Sequence, residues 1–379
     1  MDYTRVIRSE VNVVKKILYV TTYNIDESGD GISNKILSQM RAIKSLGYAV
    51  DSIYFSEDGI LLNVDEKIKL IKIKKIFRYF FFLYIVRFFK EKEIYYDYIY
   101  VRNPHGGLYS VFFHVFLEGM KKNNTLCILE IPHYPYEKET RSFLGKCALT
   151  SHRISRRFFL KYIDRIVYMG EKTSEIWGVP ATRINNGIEP DRYPSVHREL
   201  NCSTIKMIGV ASLAYWHGYD RLIASIADYY KKYNELKIEF HIVGDGEPEY
   251  TSMNKLVHEL SLEDSVVFHG RKSGKELDDL FFSMNIGVDS LGRHRSGNNY
   301  NDSIKSKEYA IRNLPFIKSH IDDSFQNVDF VFNISSDEIA FDLNEIIKWY
   351  SDLDLSNERI RNYAEKNLTI VKQMGKVFT

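Results

Sequence analysis

Short apolar runs alternate with helical stretches twice along this chain, and that pattern constrains the fold more than any other feature. In the first half KKILYVTTY, YAVDSIYF, YDYIYVR, TLCILEI and DRIVYMG read as buried strands, separated by helical patterning near 33–46, 76–92, 106–122 and 146–162. In the second half IKMIGVAS, KIEFHIVG, SVVFHG, NIGVDSL and PFIKS repeat the arrangement. Strands that alternate with helices close into a mostly parallel, doubly wound sheet, so the fold class is α/β with two Rossmann-like domains. A length of 379 residues suits two cores of ordinary size. Gly178, Pro180, Gly187, Pro190 and Pro194 punctuate a polar stretch before periodicity resumes at Ile205, which predicts domains at 1–195 and 196–356.

Charge excludes some partners. Lysine plus arginine (52) nearly balances aspartate plus glutamate (50), so no polyanion such as nucleic acid is expected. Cys127, Cys147 and Cys202 are widely spaced and odd in number, which fits reduced thiols in a cytoplasmic protein without structural zinc. The opening MDYTRVIRSEVNVVKK lacks the apolar core of a secretory signal. The stretch IFRYFFFLYIVRFF, 76–89, is interrupted by Arg78 and Arg87 and is too short to span a bilayer. From Lys67 to Lys92 nine basic residues and one acid, Glu91, interleave with aromatic and aliphatic residues. Two readings fit: a peripheral contact with a membrane surface, or a core strand KIKLIKIKK followed by an amphipathic packing helix.

In open parallel sheets ligands sit beyond the carboxyl ends of the strands, so the following loops carry the function. GDGEP offers Gly244 and Gly246 for a tight turn and close backbone approach to a ligand. In HGRKSGKE, Ser273 and Glu276 have capping-box spacing, which fixes Gly270 and Arg271 in a short loop. In LAYWHGYDRLI, His217 precedes a helix and Arg221 lies in its first turn, a candidate anion site. The long loop GRHRSGNNYND then leads into DSIKSKEYAIRNLPFI, where Asp302 and Ser303 are good N-caps. A helix over 303–312 puts Ile304, Glu308 and Ile311 on one face, which strands a carboxylate on the side expected to be buried. One resolution is functional. If the helix aims Ser303, Ile304 and Lys305 at a diphosphate, Glu308 faces the same cleft one turn deeper and can accept from two ribose hydroxyls. The other is a salt bridge to Lys305 or Arg312.

RINNGIEPDRY, WHGYDRLI, HIVGDGEPEY, SVVFHGRKSGKELDDLFFSMNIGV and IKSKEYAIRNLPFI, in that order and spacing, resemble the nucleotide-sugar-binding half of family-four retaining glycosyltransferases of GT-B architecture, over about 182 to 320. The resemblance implies two Rossmann-like domains facing a central cleft and a final helix, 357–379, crossing back to the first domain. It implies that Glu308 holds the donor ribose and that Gly270 and Arg271 lie against the base of a UDP- or GDP-sugar. It further implies that Gly29 and Gly31 form a loop facing donor phosphates and acceptor, and that His133 touches the donor sugar. A surface turn capped by Ser33 is the other reading of the glycines, and His105 competes with His133.

The chain departs from the family at three positions. Tyr300 stands where a second glutamate is common, and Ser212 and His217 stand where the diphosphate-binding arginine and lysine would align. Lys305, Arg221, Arg293 and Arg295 are the cations that could compensate. Asp352 and Asp354 have no strand-end setting, so no metal is inferred. The resemblance thus implies a retaining, metal-independent transfer of sugar to a hydroxyl acceptor, with a surface polysaccharide or glycolipid precursor as acceptor class. A non-catalytic subunit of the same fold is the alternative.

Overall fold

The computed structural model describes residues 14–25, 31–90, 92, 94–104, 108–122, 124–136, 143–196, 203–233, 235–297 and 299–378. The chain forms two compact units, Met1–Ile184 with Met374–Thr379, and Asn185–Gln373. The division falls before residue 195 because the intervening segment packs with the second unit. Ile188 bridges to Thr369, the Val196 amide donates to the Arg312 carbonyl, and both Ile188 and Val196 enter a core with Tyr309 and Ile311.

Among the described residues of the first unit, nine strands form one sheet: β1 (Lys16–Asn24), β2 (Ala49–Ser56), β3 (Gly59–Val64), β4 (Lys67–Lys72), β5 (Tyr98–Arg102), β6 (Leu126–Tyr134), β7 (Arg165–Gly170), β8 (Glu175–Ile176) and β9 (Val179–Arg183). Their order is β4-β3-β2-β1-β5-β6-β7-β9-β8. The stretch from β2 through β1, β5, β6 and β7 to β9 is parallel, while β2, β3 and β4 form an antiparallel meander that extends one edge. Helices α1 (Gly31–Ser45), α2 (Phe81–Phe89), α3 (Phe113–Met120) and α4 (Phe143–Phe159) accompany the sheet.

The basic segment divides between its two readings. KIKLIK is a strand, but it is the sheet edge and not core: no residue of β4 is fully buried, and exposed lysines discourage further pairing there. The helix expected over 76–92 is shorter. Residues Lys75–Phe80 form a 3-10 turn that buries nothing, and only from Phe81 do Phe81, Phe82, Ile85 and Phe89 supply the helical spacing that packs α2 against the core. No described helix is long and apolar enough to cross a membrane.

The second unit holds β10 (Thr204–Val210), β11 (Lys237–Val243), β12 (Val266–Phe268), β13 (Ile286–Val288), β14 (Phe316–Lys318) and β15 (Val331–Asn333), all parallel, in the order β12-β11-β10-β13-β14-β15. Chain direction across the sheet therefore reverses between β10 and β13, and a crevice opens there beyond the strands' carboxyl ends. Around the sheet lie α5 (Tyr219–Lys232), α6 (Glu249–Glu259), α7 (Gly274–Phe281), α8 (Ile304–Ile311), α9 (Leu343–Ser351), α10 (Arg359–Asn367) and α11 (Ile370–Gly375). The single returning helix expected from Asn357 is instead two. Helix α10 packs on α8 within the second unit, and only the tail from Met374 joins the first, where the Phe378 ring sits 5.2 Å from those of Tyr48 and Tyr98.

Candidate functional site in the second unit

The loops after β10, β11 and β12 are locked to one another. Gly244 (φ +126°) and Gly246 (φ +153°) lie so close to the β10 loop that a Cβ would come within 1.7 Å of the Ala211 carbonyl and 2.3 Å of the Leu213 carbonyl. The Leu213 amide donates to the Asp245 carbonyl at 2.7 Å, and the Gly244 amide to the Gly270 carbonyl at 2.7 Å. The glycines are thus required by neighbouring backbone, where sequence suggested approach to a ligand. Gly270 (φ +64°) has open space around it, and Arg271 beside it is exposed, with its Nε 2.6 Å from Asp245 Oδ1. Ser273 is the N-cap of α7 without a side-chain capping bond, so the expected capping box does not form.

His217 closes the β10 loop. Its Nδ1 accepts from the Ala214 amide at 3.0 Å, which leaves the proton of the neutral ring on Nε2 and makes that atom a donor. Burial, then the positive charges of Lys305 and Arg293, push its pKa down to about 3, so the ring is neutral at physiological pH. It offers a phosphate a hydrogen bond and no charge.

The candidate cations separate clearly. Arg221 is buried, and its three nitrogens donate to the carbonyls of Leu291, Ser335 and Ile339 and to Asp337. Every nitrogen is engaged, so this residue staples loops together; the expected anion-binding role has no donor left to serve it. Arg295 is held likewise by Asp220, Glu338 and the Tyr215 carbonyl. Arg293 differs, since its guanidinium has no hydrogen-bond or ion-pair partner among the described residues and lies 5.9 Å from the Trp216 ring. Lys305 Nζ sits 3.2 Å from Asp289 Oδ1 at the end of β13. Asp289 is buried, yet Lys305, His320, Ser303 and Ser306 outweigh the cost of burial and hold its carboxyl well below the usual range.

Helix α8 resolves the question of Glu308. The helix buries Ser306, Lys307, Tyr309, Ala310 and Ile311, while Ile304 is exposed and Glu308 half-buried. Of the face predicted to be buried, Ile311 is buried, Glu308 half-buried and Ile304 exposed, so that face opens toward the helix's amino end. Neither expected salt bridge forms: Lys305 pairs with Asp289, and Arg312 with Asp278. Glu308 Oε1 accepts from the Tyr193 hydroxyl at 3.0 Å, and Oε2 has no partner among the described residues. Burial raises its pKa, and the Tyr193 bond with the charges of Arg312 and Lys305 opposes the rise. Ser303 is the N-cap, although its side chain bonds Asp289 and not its own helix.

Sequence reasoning missed what holds α8 in place. Lys307 is buried between Asp302 and Asp322, 2.8 Å from the latter, and Asp302 also accepts from the Asn186 amide. Burial pulls the lysine pKa down, but the two carboxylates more than reverse it. The signal was present in part, since Ser306 and Ala310 lie opposite Glu308, with Lys307 beside them.

In the first unit, His133 is half-buried near the carboxyl end of β6. Gly31 opens α1 with nothing close to it, and Ser33 lies inside that helix and is not its cap. Gly29, His105 and Cys202 lie outside the described residues. Tyr300 bridges to Ile321, Ser212 is exposed, Asp352 ends α9, and Asp354 caps the turn at Ser356. Among the described residues no group of His, Cys, Asp or Glu is arranged to hold a metal.

Residues 198–288 match the family model for glycosyl transferases group 1. No curated protein sequence matches the chain significantly. Solved structures share its fold over nearly the whole length. Sucrose-phosphate synthase from Thermosynechococcus elongatus superposes with a TM-score of 0.63 at 15% identity, covering 96% of this chain and 98% of that one. HepE from Anabaena, solved with UDP, gives 0.62 at 11% over 96% and 98%. A glycosyltransferase from Rickettsia africae gives 0.63 at 14% over 96% and 97%. The fold is that of the GT-B glycosyltransferases, with two Rossmann-like domains.

Proposed function

We propose that this protein transfers a sugar from a nucleoside diphosphate donor to a hydroxyl acceptor, with retention of anomeric configuration. One observation carries the reading: at the strand-order reversal, a half-buried carboxylate with one unengaged oxygen sits one turn behind a helix start that bears Lys305. That spacing suits a ribose diol on Glu308 and phosphates at the amino end of α8, beside Lys305, Arg293 and the Nε2–H of His217. UDP is the first donor nucleotide to test, because HepE was solved with UDP and with UDP-glucose. GDP is the second. A surface polysaccharide or glycolipid precursor is the acceptor class.

In the transfer, the bond from the anomeric carbon to the leaving phosphate breaks as the acceptor oxygen bonds on the same face. The departing phosphate oxygen takes the acceptor proton, so no side-chain base is needed. The protein's task is to stabilise charge growing on the phosphates and to orient the sugar, and His133 is the first unit's candidate for the latter. Calorimetry with UDP, GDP and uridine tests the donor site. Arg293→Ala should weaken UDP binding about tenfold, the loss of one charge-assisted contact, and leave uridine unaffected. Equal losses would remove the arginine from the phosphate site.

His133→Ala should reduce turnover at least about tenfold with UDP affinity unchanged, and a chelator should leave turnover as it was. Product NMR should show the donor's anomeric configuration. Inversion would overturn the mechanism.

A further inference from the structure

Helix α4 has two apolar faces, and only one of them is used by the fold. His152, Ser155 and Phe159 point inward, where His152 Nε2 meets Asn103 Oδ1 at 2.9 Å and Phe159 packs on Phe113. On the outer side, Phe143 (79% exposed), Leu144 (80%), Ile154 (54%) and Phe158 (54%) stand in solvent. Phe143, Ile154 and Phe158 are spaced i, i+11 and i+15, which aligns them in one stripe. Lys146, Arg153 and Arg157, at i, i+7 and i+11, are exposed in a row beside it. Residues 143–163 contain five basic residues and no acid.

Elements linked to α4 by packing expose further apolar and basic residues. The helix packs on the turn at 109–112, which in turn packs on the 3-10 turn at 75–80. That second turn exposes Ile76, Phe77, Tyr79 and Phe80 beside the exposed Lys72, Lys74 and Lys75, with Leu108 exposed nearby. Behind it, Lys69 and Lys92 both place their ammonium groups on the Phe88 ring, at 5.2 and 4.8 Å, and neither has an acidic partner among the described residues. Cation–π attraction holds both there and leaves a concentration of positive charge at this surface.

We propose that this face of the first unit, with α4 as its principal element, docks on an anionic lipid bilayer. Outward Phe, Leu and Ile gain from entering the acyl boundary, while the flanking lysines and arginines meet lipid phosphates. A second copy of the chain fits poorly, because a two-fold contact would set this basic face against itself. Nucleic acid fits less well, since Leu144, Ile76 and Ile154 interrupt the exposed rings with side chains that cannot stack and the chain's overall charge is only +2. The inference stands apart from the donor-site reading.

The test is sedimentation of the full chain with vesicles of phosphatidylcholine, with and without phosphatidylglycerol. The wild type should pellet only with the anionic vesicles and be released by salt. A variant carrying Phe143→Ser, Leu144→Ser, Ile154→Ser and Phe158→Ser should lose at least about tenfold in partitioning with its unfolding midpoint unchanged. Arg153→Gln with Arg157→Gln should weaken the salt-sensitive part alone. Absence of wild-type binding at low ionic strength would overturn the proposal, as would full binding by the serine variant. Displacement by single-stranded RNA, or a dimer that the serine variant abolishes, would assign the face to another partner and overturn it equally.

Discussion

Lys307→Met is expected to destabilise the second unit by about 3–5 kcal/mol, the cost of leaving buried carboxylates without their cation. Methionine keeps most of the side-chain volume, so the loss reports charge and not packing. Asp302 and Asp322 would then face each other inside the protein, with Asp302 still bonded to the Asn186 amide. Burial already raises the Asp302 pKa, with its neighbour Asp322 adding to the rise. An acid whose folded pKa is raised makes the folded state less stable as pH climbs above the ordinary aspartate range, so the variant should recover stability as pH falls. Urea unfolding followed by tryptophan fluorescence reads this directly, because Trp216 and Trp349 lie in the second unit and Trp177 in the first. A loss under about 1 kcal/mol at neutral pH would show that the triad does not anchor α8.

Glu308→Gln is expected to weaken binding of UDP and of uridine alike by about 1–3 kcal/mol, roughly 5- to 150-fold in Kd. The amide oxygen can still accept from Tyr193, so the fold should survive. What is lost is a second charged acceptor for the ribose diol. Equal loss for nucleoside and diphosphate separates this contact from that of Arg293, which should discriminate between them. The raised Glu308 pKa adds a pH signature. The diol binds the ionised form, so wild-type affinity should fall as pH drops through a value above the ordinary glutamate range, and Glu308→Gln should flatten that dependence. Unchanged affinity in the variant would refute the ribose assignment.

Strands buried on both faces were legible because their apolar runs are continuous, and ten expected strands correspond to β1, β2, β5, β6, β7, β10, β11, β12, β13 and β14. The strands β8, β9 and β15 were not, being short or at the sheet's margins, and β3 was passed over although Ile60, Leu62 and Val64 alternate inward. Glu308 was singled out by its helical spacing, although of the expected face only Ile311 is fully buried, because Lys307 looks like a surface lysine until both of its acids are seen. Arg221 misled for a related reason. An arginine in a helix's first turn reads as available for an anion, and only tertiary structure shows three carbonyls and a carboxylate around it. Gly244 and Gly246 were found by pattern, but pattern does not reveal whether ligand or backbone demands the missing side chain.

The interlock of 211–213 with 244–246 bears on how such a site can diversify. Any side chain at Gly244 or Gly246 would strike a carbonyl of the neighbouring loop, so this rim is closed to ordinary drift. Gly270, at φ +64°, would strain a side chain despite the open space around it, whereas Arg271, next along, is exposed and makes a single ion pair. Variation can accumulate there without disturbing the loops that frame the crevice. Descendants of this chain could therefore change the ligand features read at residue 271 while inheriting intact the frame that carries His217.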